Sequence, residues 1–220
     1  MINDPVTDLP LEQQICVTCG LCCDGTLFWH ASLQPGEKGD LPEKIKKAYR
    51  KSEDEESFML PCGYFAGKCT IYAQKRAHVC ASYRCQLLRD FADRKIPQAD
   101  ALEIIRKAMI MRTDLMEQFG ALTGKEQKRS FRELLLELGK VQKSLTGIDM
   151  VSLRYDVLMA RCNIFEALLI KYFRSASDFN DLMTSEPAEF TANQTNPVKC
   201  TPPLHPSPAS RGGDGGGVNG

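Results

Sequence analysis

Eight of the ten cysteines in this chain fall between Cys16 and Cys85, and that crowding limits the fold more than any other feature. The same stretch is rich in turn formers, among them Cys19-Gly20, Asp24-Gly25, Pro35-Gly36 and Cys62-Gly63. It has few long periodic apolar patterns, so it is predicted to be irregular. Acids stand near the N-terminus where a secretory signal carries basic residues, and no apolar run follows. Nowhere do about 18 uncharged apolar residues occur together. The most apolar stretch, Val157 to Phe173, is broken by Arg161, Asn163, Glu166 and Lys171. A cytoplasmic protein without a membrane partner is therefore expected. In a reducing compartment such thiols point to metal binding or redox chemistry rather than to disulfides.

The densest run is Cys16-Val17-Thr18-Cys19-Gly20-Leu21-Cys22-Cys23. A C-x2-C turn brings two thiolates to one centre, as tetrahedral Zn–S bonds of about 2.3 Å require. Gly20 stands where such a turn can need positive φ. The next two-residue gap, ending at Cys22, matches the way [4Fe–4S] proteins present three thiolates. The ferredoxin continuation x3-C-P is missing. Cys22 and Cys23 are adjacent, and in an extended chain they point to opposite sides. That predicts two centres, or one centre with a spare reactive thiol.

Cys62, Cys69, Cys80 and Cys85 complete the set. On one continuous helix Cys80 and Cys85 would point about 140° apart. Cys80 is therefore predicted to precede a helix capped by Ser82 and carrying Tyr83, Leu87 and Phe91, with Cys85 in its first turn. A thiol there feels the positive helix end. All eight cysteines, Cys16, Cys19, Cys22, Cys23, Cys62, Cys69, Cys80 and Cys85, are candidate ligands. The count permits two four-cysteine sites, or one four-iron cluster plus four other thiols. His30 and His78 are the available substitutes for a cysteine.

The predicted fold class is mostly α: a small irregular α+β, metal-stabilised cysteine module over 1–95, a helical region over 96–183 and a disordered tail over 184–220. Thr26–His30 reads as a short strand and Leu41–Lys51 as a helix with Pro42 near its start. Pro97 suits the first turn of a long helix. There Leu102, Ile105, Met109, Met116 and Phe119 recur at helical spacing, widened by Ile104, Ala108 and Leu115. Thr123-Gly124-Lys125-Glu126 fits a capping box for a helix with Phe131, Leu134, Leu135, Leu138 and Val141 on one face. A third helix bears Leu158, Cys162, Phe165, Leu169 and Tyr172. It is apolar over much of its circumference and is expected to be the most buried. The tail is rich in proline and glycine, and its Cys200 and His205 are read as bystanders.

Lys+Arg and Asp+Glu number 28 each, so no global field draws nucleic acid. The basic group Lys44, Lys46, Lys47, Arg50 and Lys51 is followed by the acidic run Glu53-Asp54-Glu55-Glu56, which opposes DNA. No nucleic-acid partner is expected.

The ordered motifs resemble the YkgJ-type CxxCxxCC cysteine-cluster family, described as a zinc- or iron-chelating domain. They are Cys16-x2-Cys19-Gly20-Leu21-Cys22-Cys23, Asp24-Gly25-Thr26-Leu27-Phe28, Pro61-Cys62, Cys69-Thr70-Ile71-Tyr72, Arg76, Cys80 and Cys85. The resemblance covers under half the chain. The family's R-P is Arg76-Ala77 here, and its Phe is Tyr83. It implies chelation of zinc or iron, an Fe–S cluster included, by the eight cysteines, and leaves Cys162 and Cys200 outside. Relatives include Fe–S oxidoreductases and a flagellin lysine N-methylase, so an Fe–S oxidoreductase or methylase-like enzyme is the alternative reading. A glycine-rich Rossmann fingerprint is absent. Asp24, Tyr72, Arg76 and Arg84 lie among the ligands; the two arginines suit neutralisation of thiolate charge. The helical region would cap the cluster or bind a protein partner.

Overall fold

The computed structural model describes residues 9–53, 55–124, 130–142 and 150–174. The expected tail, with Cys200 and His205, lies outside the described residues, as does Asp54 of the acidic run. The described chain is mostly helical with one small antiparallel sheet. No described helix is long and apolar enough to cross a membrane.

The first helix, α1 (Leu11–Cys19), was not legible from the turn-rich composition. Pro10 precedes its first residue, and Ile15 and Val17 are buried. Short strands follow: β1 (His30–Ser32), β2 (Tyr49–Lys51) and β3 (Glu56–Met59). They form a sheet of order β1-β3-β2, with Ala31 and Tyr49 both opposite Phe58. The strand expected at 26–30 thus begins only at His30. The helix expected over 41–51 is confined to α2 (Glu43–Lys47). Its remainder became β2 because Tyr49–Lys51 gained cross-strand partners in β3, an outcome that local propensity does not contain.

Two short helices replace the single one expected from Ser82. Helix α3 (His78–Ser82) contains Cys80 and ends at Ser82, and Tyr83 is extended. Helix α4 (Gln86–Ala92) follows, with Cys85 at its N-cap position. The four-residue spacing of Tyr83, Leu87 and Phe91 therefore does not mark one helix. Tyr83 packs edge-on against Phe28, ring centroids 5.4 Å apart.

Helix α5 (Gln98–Thr123) starts directly after Pro97 and buries Ala101, Ile105, Ala108, Leu115 and Phe119. Met109 from the expected stripe is exposed instead. Thr123 closes this helix rather than capping the next: its hydroxyl donates to the Phe119 carbonyl at 2.8 Å, and Gly124 takes φ 66°. The working capping box is Ser130 with Glu133, at the head of α6 (Phe131–Gln142). The Ser130 N–H donates to Glu133 Oε2 at 2.8 Å, and the Glu133 N–H donates to Ser130 Oγ at 3.2 Å.

Helix α7 (Met150–Phe173) buries Tyr155, Leu158, Cys162, Phe165, Leu169 and Phe173. Its other side leaves Leu153, Val157 and Ile164 exposed, so its all-round apolarity overstated its burial. Phe165 meets Phe131 edge to face at 4.8 Å. One apolar core runs from Ile15 to Phe173, through the cysteine-rich segment and the long helices alike.

Cys162 sits fully inside that core. Burial, then the Glu166 carboxylate, pushes its thiol up to about 12. The folded state holds this proton more tightly than the unfolded state. Its stabilising share is therefore complete below the ordinary thiol pKa of 9.0 and is lost as pH rises towards about 12. At pH 8 the Cys162 peptide is expected to resist iodoacetamide in native protein and to react in denaturant. Mass-spectrometric labelling checks this, and rapid native labelling would contradict it.

Candidate metal centre

The C-x2-C pair stands on the last turn of α1, not in a loop. Cys16 and Cys19 are three residues apart and so lie on neighbouring parts of one helix face. Gly20 ends the helix in the left-handed region at φ 64°, its N–H donating to the Cys16 carbonyl at 3.3 Å. The ring of Phe65 lies where a side chain would go: a Cβ on Gly20 would come within 2.5 Å of it. Both the backbone and the space demand glycine. Gly20→Ala is expected to cost about 2 kcal/mol, combining left-handed strain with displacement of Phe65. In a thermal melt that is a fall of about 4–8 °C; an unchanged melting temperature would refute the account.

After Gly20 the chain turns tightly. The Asp24 N–H donates to the Gly20 carbonyl at 3.0 Å, and the Gly25 N–H to that of Cys22 at 3.4 Å. The expectation that Cys22 and Cys23 point apart rested on extended backbone. In this turn both line the same cavity. The Cys62 N–H donates to the Cys23 carbonyl at 2.8 Å and so holds the Pro61-Cys62 segment against the turn.

That cavity has a volume of about 90 Å³. Cys16, Cys22, Cys23, Cys62, Cys69 and Cys80 line it, with Arg76 and Tyr72. The remaining wall is apolar and includes Ala31, Ile45, Phe58, Ile71 and Val79. Cys19 and Cys85 are not part of the lining. Among the described residues, no group of three or more His, Cys, Asp or Glu side chains is arranged to hold a metal ion.

Burial and neighbouring thiols act together on these cysteines. Burial pushes the Cys23 thiol well above the ordinary range, and Cys80, Cys16, Cys69 and Cys62 push it in the same direction. Cys80 is raised to about 12 by burial and then by Cys62, against Arg76. For Cys16 burial dominates over the opposing pull of Arg76 and Arg84. Cys62 is raised by burial, opposed by the Tyr64 amide and Lys44. Cys19 is raised well above the ordinary range by burial and next by Cys85. Burial lifts Cys85 to about 11, although the Leu88 and Leu87 amides at the head of α4 favour its thiolate. Without a cation inside, such a set stays largely protonated.

Arg76 is positioned for the cavity by two contacts. Its guanidinium lies 4.0 Å from the centre of the Tyr72 ring, and Nη1 donates to the Cys80 carbonyl at 3.3 Å. Arg84 instead pairs with Glu12 and donates to the Ala81 carbonyl at 2.8 Å. Neither histidine lines the cavity. His30 faces Glu55 at 3.8 Å, and His78 Nδ1 lies 3.1 Å from Gln34 Nε2.

Asp24 is bound into a structural network. One carboxylate oxygen accepts the Thr26 N–H at 2.8 Å, and the other meets Arg112 Nε of α5 at 2.8 Å. Burial raises the Asp24 pKa, while Arg112 and Thr26 lower it. Arg132 of α6 donates from Nε to the Thr26 carbonyl at 3.1 Å and pairs through Nη2 with Glu166 of α7 at 3.0 Å. Arg174 reaches the same Glu166 oxygen at 3.3 Å. The Asp24-Gly25-Thr26-Leu27 motif is thus held by α5 through Arg112 and by α6 through Arg132, which α7 steadies in turn through Glu166. Sequence reasoning missed Arg112, Arg132, Glu166 and Arg174, since a charged residue on a helix reads by default as a solvated face.

Comparison with models of protein families, with curated proteins and with solved structures found no match.

Proposed function

We propose that this protein binds a thiophilic metal, zinc or iron, through its N-terminal cysteines, with the helical region clamping the module that holds them. The observation that supports this most is the cavity lined by six thiols brought together from four separate stretches of chain. The donors fit such a metal chemically. Sulfur is the preferred ligand of zinc and of Fe–S iron, and neither a carboxylate nor an imidazole lines the cavity among the described residues. When bound, the metal would supply the positive charge that lets buried thiols ionise. Arg76 would offset part of the remaining negative charge.

The test is metal analysis and an absorption spectrum of anaerobically purified protein. Stoichiometric zinc in a colourless protein, or iron with acid-labile sulfide and a broad visible band, is the expected outcome. Protein free of both metals, whose cavity cysteines all react with thiol reagents while it remains folded, would overturn the reading.

A further inference from the structure

We infer that the cavity accommodates two divalent ions bridged by thiolates, with Cys19 and Cys85 outside that centre. This deepens the metal-binding reading and rests on it. Donor number is the first ground. Six cysteines, Cys16, Cys22, Cys23, Cys62, Cys69 and Cys80, line one cavity, whereas a single tetrahedral ion takes four thiolates. Their distribution is the second. The six cysteines line a cavity of about 90 Å³, more space than a single ion fills. The third ground is the neighbouring pair Cys22 and Cys23. Adjacent residues chelate one ion poorly, yet both face this cavity. Two ions let each sulfur serve its own metal.

The valence count closes. Two tetrahedral ions require eight metal–sulfur bonds, which six thiolates supply when two of them bridge. Loading replaces six thiol protons, released to solvent, with two divalent ions. Six thiolates and two such ions leave a net charge of −2, and Arg76 at the cavity wall offsets one unit. A single tetrahedral ion would ionise only four of the thiols and leave two buried and unused. Cys19 and Cys85 form the remainder. They are absent from the lining, and Cys85 is the thiol that most strongly perturbs Cys19.

The experiment is an anaerobic titration of the reduced, metal-free full chain with Zn²⁺, read by native mass spectrometry. Cd²⁺ serves as a second probe, read by ¹¹³Cd NMR. Two zinc ions per chain and two mutually coupled cadmium resonances are expected. C19S/C85S should keep both ions, and C22S and C23S should each lose at least one. One zinc per chain, a single uncoupled cadmium resonance, or stoichiometric acid-labile sulfide in the anaerobically isolated chain would overturn the binuclear inference and leave metal binding intact. Loss of an ion from C19S/C85S would overturn the partition of the cysteines. No zinc, cadmium or iron bound at all would overturn both readings. Where a serine variant fails to fold, the wild-type stoichiometry and cadmium spectrum still decide.

Discussion

Replacing Arg132 with methionine is expected to destabilise the protein by about 3 kcal/mol, the lower part of the range for breaking a buried ion pair. Arg132 is only 5% exposed. Its loss removes donors from the Thr26 and Leu27 carbonyls and one partner from Glu166. The residual pairing of Glu166 with Arg174 at 3.3 Å keeps the cost from the top of that range. A urea melt should show a lower midpoint with an unchanged slope. Arg106→Met makes the control, because the Arg106–Glu103 pair lies on the surface and is expected to leave the midpoint where it was. Equal effects for the two variants would mean that the buried network does not hold the cysteine turn. The Arg132 variant should also weaken metal retention, since Thr26 and Leu27 follow directly on the turn that carries Cys22 and Cys23.

Stripping the metal is expected to have the larger effect. A ligand that binds only the folded state adds RT ln(1 + [L]/Kd), about 4 kcal/mol when free metal stands a thousandfold above Kd. Chelation should therefore lower the unfolding free energy by that amount, and restored zinc should raise it again. The effect should shrink as pH falls, because binding displaces thiol protons that then compete with the metal. The pKa values of Cys16, Cys23, Cys62 and Cys80 are raised by burial, so proton competition at the cavity is strong. The contiguous apolar core from Ile15 to Phe173 leaves the chelated protein with structure to lose. Complete unfolding at the moment of chelation would contradict that division between core and metal. A chelated protein as stable as the loaded one would count against the proposed function.

Much of the helical architecture was legible locally. Ile105, Ala108, Leu115 and Phe119 on α5, and Phe131, Leu134 and Leu138 on α6, are spaced so that any helix places them on one side, and that side is buried. The errors fell where a distant partner outweighed local preference. Residues 49–51 left the predicted helix because β3 offered hydrogen bonds. Thr123 matched a capping box by sequence, yet Ser130 and Glu133 form one. The break between α3 and α4 follows from extended Tyr83, packed against Phe28 from a remote part of the chain.

By itself the sequence determined that eight cysteines belong to one segment, that Gly20 stands where the backbone can need positive φ, and that long amphipathic helices follow. Those properties depend on spacing along the chain and on the conformations each residue allows. Only the tertiary structure decided that Cys16, Cys22, Cys23, Cys62, Cys69 and Cys80 share a cavity while Cys19 and Cys85 stand aside, and that Asp24 is held by Arg112. Cys16 and Cys80 lie far apart in sequence, and no local pattern records which sulfurs will meet. Their meeting is set by how α1, α3 and the sheet pack on the common core, and therefore by burial and long-range hydrogen bonding.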